Sequence, residues 1–367
     1  MPARRNLFPG SNTCYGYHSF YEYLATADCR RKLIIKGGPG TGKSSLMKKV
    51  GEHFLARGAA IEYHWCSSDP QSLDGLVVRG KNGFCLLDGT APHVTDPSCP
   101  GAYDEVVNMG SFWNGAALRR GRGEIEELTG DIGGCFSHAY LRLQEAHAAV
   151  LQYVLYIKEA IDEAKLLPPL RIMAEDYLSA CPTGTGIQRH LFAAAVGPEG
   201  VIHHMDTVCD AATPVFAVRG ATGTGPQLLF DMVLQQSEWR GIALEVFHCP
   251  FDPRYIDAVL APGGPLLLNL SPLAADYESR LIKPRYERWL DLDSLLSPAR
   301  LATARRPAEA AWERCGQSLF EATELLAAAR QKHDALEAYY TAAMDFERMN
   351  MATDHLLAEL DDFWREK

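Results

Sequence analysis

Residues 37–44 read Gly-Gly-Pro-Gly-Thr-Gly-Lys-Ser and follow directly on the apolar run Leu33-Ile34-Ile35. That order predicts a buried strand, a tight loop and then a helix. Gly37, Gly38, Gly40 and Gly42 let the backbone take conformations that a Cβ would forbid. Successive N–H groups then face inward as an anion nest, reinforced by the positive end of the following helix. Lys43 adds an ammonium and Ser44 a hydroxyl. This is the full G-x-x-x-x-G-K-[ST] pattern, whose lysine serves the β/γ-phosphates of a nucleotide and whose hydroxyl serves Mg²⁺. Pro39, Thr41 and Ser45 complete the expected binding stretch, 37–45.

A phosphate cradle of this kind needs an acidic group at the end of a neighbouring strand to hold Mg²⁺ or its water shell. Phe84-Cys85-Leu86-Leu87-Asp88 is an apolar run ending in a carboxylate. Asp88 joins Ser44 as an expected metal ligand, and Lys43 is the expected charge on the reacting phosphates. The group that orients water or a hydroxyl is less determined by sequence, and Asp69, His93 and Asp96 are candidates. Asp69 begins an Asp-Pro turn just past the second strand, which equally serves structure. His93 follows the metal carboxylate closely, although an isolated histidine is more often packed than catalytic. Arg119, Arg120, Arg122, Arg219 and Arg240 are candidate arginines for the γ-phosphate. On the C-terminal helix, His333 and Glu337 share a face, compatible with metal ligation or with an ordinary solvated surface.

Gly89 follows Asp88, so the strand lacks the adjacent Glu of many P-loop ATPases. Neither D-x-x-G nor a guanine-reading N/T-K-x-D pattern follows. ATP is therefore the expected base rather than GTP.

The elements that must position these groups are written twice. A shift of 183 positions carries Gly37 to Gly220, Gly40-Thr41-Gly42 to Gly223-Thr224-Gly225, and Cys66, Asp69, Pro70 and Asp74 to Cys249, Asp252, Pro253 and Asp257. The period is half the chain, which indicates one duplicated domain and not a repeat array. The same shift carries Lys43 to Pro226 and Ser44 to Gln227, while the strand equivalent to 84–88 ends in Asn269. Proline has neither charge nor N–H, so the second copy is expected to be degenerate.

Strands at 32–36, 60–66 and 84–87 alternate with helical patterns, which predicts α/β halves with doubly wound, mostly parallel sheets. The expected domains are 1–183, a P-loop NTPase domain, and 184–367, its degenerate copy. Each carries a long helical segment, near 124–165 and 308–365. Leu166–Thr185, with Pro168-Pro169, is the expected linker. Aromatics at Tyr15, Tyr17, Phe20, Tyr21 and Tyr23 mark a packing segment or a platform for the base.

Composition narrows the function classes. The 367 residues, 47% hydrophobic and 22% charged, are those of a globular chain with more than one core. A net charge of −10 argues against unspecific nucleic-acid binding. No apolar run reaches the length of a membrane span, the start lacks a secretory h-region, and the ten cysteines are scattered. These features predict a cytoplasmic protein with reduced thiols.

The chain resembles an uncharacterised family of bacterial tandem P-loop ATPase-like proteins. The resemblance rests on Ser11-Asn12-Thr13, Gly16-Tyr17-His18-Ser19-Phe20, Lys36 to Ser45, Cys66-Ser67-Ser68-Asp69-Pro70 with Leu73-Asp74-Gly75, and Asp88-Gly89-Thr90-Ala91-Pro92-His93. In the second half it rests on His190-Leu191-Phe192, His333-Asp334 and Met344-Asp345-Phe346. It implies ATP binding and tandem duplication without naming a substrate; Pro226 and Gln227 depart from an intact loop. The expected function is a Mg-ATP-binding ATPase with one active site, in the first half. The alternatives are an ATP-sensing module without significant turnover and a small-molecule kinase. A protein partner or self-association is compatible with either.

Overall fold

A computed structural model describes residues 2–25, 28–91, 94–271, 273 and 285–366. The first half runs β1 (Arg4–Leu7), β2 (Gly10–Thr13), β3 (Gly16–Ser19), β4 (Cys29–Lys36), α1 (Lys43–Leu55), β5 (Ile61–Trp65), β6 (Leu73–Val78), β7 (Gly83–Asp88) and β8 (Asp104–Asn108). It closes with the helices α2 (Gly115–Arg120), α3 (Arg122–Ala160) and α4 (Glu163–Ala180). The second half repeats the sequence of elements: β9 (Gln188–Leu191), β10 (Ala194–Gly197), β11 (Gly200–His203), β12 (Pro214–Arg219), α5 (Pro226–Arg240), β13 (Leu244–His248), β14 (Ile256–Leu260), β15 (Leu266–Asn269) and β16 (Arg285–Asp291). Its closing helices are α6 (Pro298–Ala343) and α7 (Phe346–Arg365).

The two six-stranded sheets have equivalent orders, β1-β5-β6-β7-β4-β8 and β9-β13-β14-β15-β12-β16. In each, one strand is antiparallel to both neighbours: β6 between β5 and β7, and β14 between β13 and β15. The remaining pairings are parallel. Mostly parallel α/β halves are thus present, but the sheets are mixed. The strand 73–78 escapes a sequence reading because Asp74 and Gly75 lower its β-propensity. The register repeats too: Ile35 pairs with Asp88 as Val218 pairs with Asn269, and Lys36 pairs with Asn108 as Arg219 pairs with Asp291. Even the buried ion pair at each sheet edge recurs, Arg5–Glu62 at 3.1 Å and Arg189–Glu245 at 3.2 Å.

The compact units are discontinuous in sequence, whereas the sequence reading expects two consecutive domains meeting at 183/184. One unit comprises residues 3–9, 19–138 and 324–367; the other comprises 1–2, 10–18 and 139–323. In the first, the sheet alternates cleanly. Leu33, Ile35, Phe84 and Leu86 pack with Leu46, Val50 and Phe54 of α1 and with Met349 and Leu360 of α7. Ile34, Val77, Cys85 and Leu87 face the other way, against Leu24 and Tyr21. Helix α7, encoded at the end of the second half, therefore completes the core of the first copy.

In the other unit the reciprocal holds. Helix α4, encoded in the first half, packs Leu170, Met173, Tyr177 and Leu178 with Phe230 and Val233 of α5. The expected linker 166–185 is thus a helix over most of its length. Its Pro168 and Pro169 lie inside the helix, each at a cost of about 3 kcal/mol. Leu166, Leu170, Met173, Ala174, Tyr177 and Leu178 follow helical spacing and are all buried. Each large side chain contributes about 1.5–3 kcal/mol, so burial outweighs the prolines. Tyr177 also donates its hydroxyl to the Val259 carbonyl at 3.0 Å.

The fully buried Leu360 gives this arrangement a test. Leu360→Ala is expected to destabilise the unit built on β4 and α1 by about 2–5 kcal/mol in urea denaturation. A change under about 0.5 kcal/mol would show that α7 is dispensable to that core.

Candidate functional site

Strand β4 delivers the loop from the sheet interior, with Leu33, Ile34 and Ile35 fully buried. Gly40 (φ 66°) and Gly42 (φ 84°) take left-handed conformations, and α1 begins at Lys43 immediately after Gly42. A glycine at this boundary offers no side-chain oxygen to the first-turn N–H groups, which keep their positive partial charge at the helix start. The Thr41 hydroxyl closes the loop by donating to the Gly38 carbonyl at 2.8 Å.

The Lys43 ammonium donates to the carbonyls of Gly37 (3.0 Å) and Gly38 (2.8 Å) and lies 3.5 Å from Asp88 Oδ2. Asp88 is fixed at the end of β7: its Oδ1 accepts from the Thr90 N–H at 2.8 Å, and the Thr90 hydroxyl donates to Gly37 at 3.0 Å. Burial pushes the Asp88 carboxyl above the usual carboxylate range; Lys43 opposes the shift, and the negative charge of Asp74 adds to it. Asp74, buried on β6, is a second carboxylate to which sequence reading assigns no role. Ser44 Oγ accepts from the Leu73 N–H at 2.9 Å, tying the start of α1 to β6. Lys43 and Asp88 are thus brought together, Ser44 is held beside β6, and Ser45 is exposed.

The outer side of this loop is covered by the C-terminal part of α6. A Cβ at Gly38 would lie 2.6 Å from the Tyr340 ring. One at Gly40 would lie 2.5 Å from the Thr341 hydroxyl and 2.6 Å from Glu337 Cγ. Potential ligand atoms of Glu337, His333 and Asp334 lie within 4.8 Å of one another. Asp69 accepts from the Ser72 hydroxyl (2.5 Å) and the Gln71 N–H (3.2 Å), and it is ion-paired to Arg330. Burial pushes its pKa up, but Ser72 and Arg330 outweigh it and leave the carboxyl below its ordinary range. That is a braced turn. Asp96 pairs with Lys36 at 3.2 Å on the surface. His93 lies outside the described residues. Arg122 pairs with Glu126 at 2.6 Å, both exposed, and Arg119 and Arg120 occupy the last turn of α2.

The second copy keeps the scaffold. Gly223 (φ 99°) and Gly225 (φ 122°) repeat the left-handed turns, and Thr224 donates to the Ala221 carbonyl at 2.7 Å. Gln227 retains the structural bond of Ser44, its Oε1 accepting from the Ile256 N–H at 2.9 Å. Asn269 accepts from the Ser271 N–H at 3.0 Å, as Asp88 does from Thr90. Pro226 begins α5 without an ammonium. Asp252 again braces its turn, here with Arg254 (2.8 Å) and His147 (3.1 Å). Arg240 is paired with Glu175 at 2.5 Å, and Arg219 lies over the Trp289 ring. Sequence reasoning singles out His333 and Glu337 but does not place their helix, or α3, against a loop, although the 183-position shift carries His147 to Arg330 and Val154 to Glu337.

A buried carboxylate with a raised pKa weakens the fold once it ionises. Its contribution is fully present below the unfolded-state pKa and lost as pH rises through the raised folded value. Asp88→Asn is therefore expected to raise the melting temperature of the ligand-free protein at neutral pH. That advantage should shrink toward zero in acid, where the parent carboxyl is protonated. A variant less stable than the parent at pH 7 would show that Asp88 is a net stabilising ion-pair partner.

No protein-family model, curated protein or solved structure matches this chain.

Proposed function

We propose that the N-terminal copy binds Mg-ATP and hydrolyses it, with the C-terminal copy as a non-hydrolysing partner. The observation that carries this reading is the placement of the Lys43 ammonium 3.5 Å from Asp88, at the mouth of a glycine loop that opens α1. The donor set fits the ligands invoked. The left-handed glycines free loop N–H groups for phosphate oxygens, and Lys43 exchanges its carbonyl partners for the β/γ-phosphates. Ser44 and Asp88 supply two hard oxygens suited to Mg²⁺, and Asp74 adds negative charge beside them. Magnesium, when bound, neutralises charge on the leaving phosphates. The protein holds the chain of phosphates in place with donors already oriented toward it.

The second copy lacks the ammonium, the hydroxyl and the carboxylate, at Pro226, Gln227 and Asn269, which supports a single hydrolytic site. None of the ten cysteines is disulfide-bonded, which favours a cytoplasmic setting. No helix among the described residues is long and apolar enough to cross a membrane. Two other readings share the same site, a sensor that retains intact ATP and a kinase that passes the phosphoryl group to a small acceptor. The nucleotide retained by the purified protein, and its rate of phosphate release with and without acceptors, separates the three.

Lys43→Ala is expected to weaken ATP binding by about 100-fold and to abolish turnover, since charge-assisted contacts of this kind contribute about 1.5–3 kcal/mol each. Asp88→Asn should retain part of the affinity but lose its Mg²⁺ dependence, read by titration with and without the metal. Parent-like hydrolysis by Lys43→Ala would overturn the site. Pro226→Lys should add no second nucleotide equivalent, because the metal oxygens there are missing as well.

A further inference from the structure

The C-terminal loop borders a cavity of about 620 Å³, within the range of ordinary small-molecule sites. Its backbone walls are the loop residues Thr222, Gly223 and Gly225. What faces them has changed in chemistry, and the duplication makes the change readable position by position. Helix α6 carries His333, Asp334 and Glu337 as a cluster, with Glu337 against the intact loop at Gly40. Helix α3 presents Val150, Leu151 and Val154 at the equivalent positions. A Cβ at Gly223 would lie 3.1 Å from Val154 Cγ1, and one at Gly225 would lie 3.1 Å from Leu166. Val154, Leu166 and Ile256 therefore line the cavity with buried apolar surface, and Leu151, 43% exposed, forms part of its rim.

Charge in the cavity is equally changed. The loop lysine is absent at Pro226, but Lys158 enters the lining from α3, where the other copy has Thr341. Among the described residues Lys158 makes no ion pair. Arg254 also lines the cavity, yet its Nε and Nη2 are engaged by Asp252 at 3.0 and 2.8 Å. Asp231 and Asp257 lie in the same lining. A triphosphate would bring several negative charges to two carboxylates with one available ammonium and no Asp88 equivalent for Mg²⁺. A single negative charge on an apolar body matches both the ammonium and the walls.

We propose that the C-terminal copy is a binding site for an apolar carboxylate, an acyl chain whose carboxylate meets Lys158. The chain lies along Val154, Leu166 and Ile256, and the site is independent of the nucleotide site in the other copy.

Isothermal titration of the full chain with decanoate tests this. Saturable binding at one equivalent is expected, with octanoate weaker by about tenfold for its two missing methylenes. Lys158→Met should weaken decanoate about tenfold while leaving 1-decanol unchanged. Leu151→Trp at the tolerant rim and Val154→Trp deeper inside should each remove binding, with folding checked by circular dichroism. Mg-ATP should not displace decanoate from the Lys43→Ala variant, in which the N-terminal site is disabled. Absence of saturable binding to the parent, parent-like affinity in both folded tryptophan variants, or displacement by Mg-ATP in that background would each overturn the assignment. None of these outcomes depends on whether the N-terminal copy hydrolyses ATP.

Discussion

In both copies a long helix packs against a glycine of the turn, so closely in the first that a Cβ at Gly40 would clash, and closely enough in the second that one at Gly223 would crowd Val154. Gly40 meets Glu337 and Thr341; Gly223 meets Val154. The left-handed conformation at each glycine is a second, independent bar to a Cβ. The loop proposed to offer backbone N–H groups to a phosphate is thereby also the seat of a helix. Its glycines serve the positive-φ turn and the helix contact whether or not a phosphate is ever bound. This explains how the C-terminal loop keeps Gly223 and Gly225 while its lysine and acidic partner are gone. The turn and its charged groups rest on different residues, so the two copies share the first and differ in the second.

The two loops differ in charge at particular positions. Around the intact loop the groups are ionic: Lys43, Asp88 and Asp74, with Arg330, Asp334 and Glu337 on the facing helix. Around the other loop, proline and asparagine stand for Lys43 and Asp88, glutamine stands for Ser44, Asp257 keeps the place of Asp74, and valine and leucine face them from α3. Hydrogen bonds that serve only the fold survive: Gln227 takes over the bond of Ser44, and Asn269 the bond of Asp88. Ser44 therefore has a structural duty beside the metal role proposed for it. Asp69 and Asp252 show the same economy, each bracing an Asp-Pro turn with a cation from a long helix or from the turn itself.

Much of this is legible in the residues alone. The glycine loop, the strand ending at Asp88 and the degeneracy of the second loop all lie in short contiguous stretches, and the structure has them as strand, loop and helix. The antiparallel β6 is not legible, because Asp74 and Gly75 interrupt the apolar pattern of a strand buried along its length. Helix α4 reads as a linker because two adjacent prolines outweigh local propensity. Only the burial of Leu170, Met173 and Tyr177 against α5 shows why the helix persists.

By itself, the amino-acid sequence determined where charge and backbone freedom sit along the chain, and that the whole pattern is written twice. These properties reside in residue type and spacing, which act over a few bonds. Tertiary structure alone decided which helix completes which core and which side chains stand over each loop. Those choices depend on burial between segments as distant as Gly40 and Glu337, where no local spacing rule applies. The hydrophobic term that drives them is blind to sequence order, so α7 closes the copy encoded at the other end of the chain.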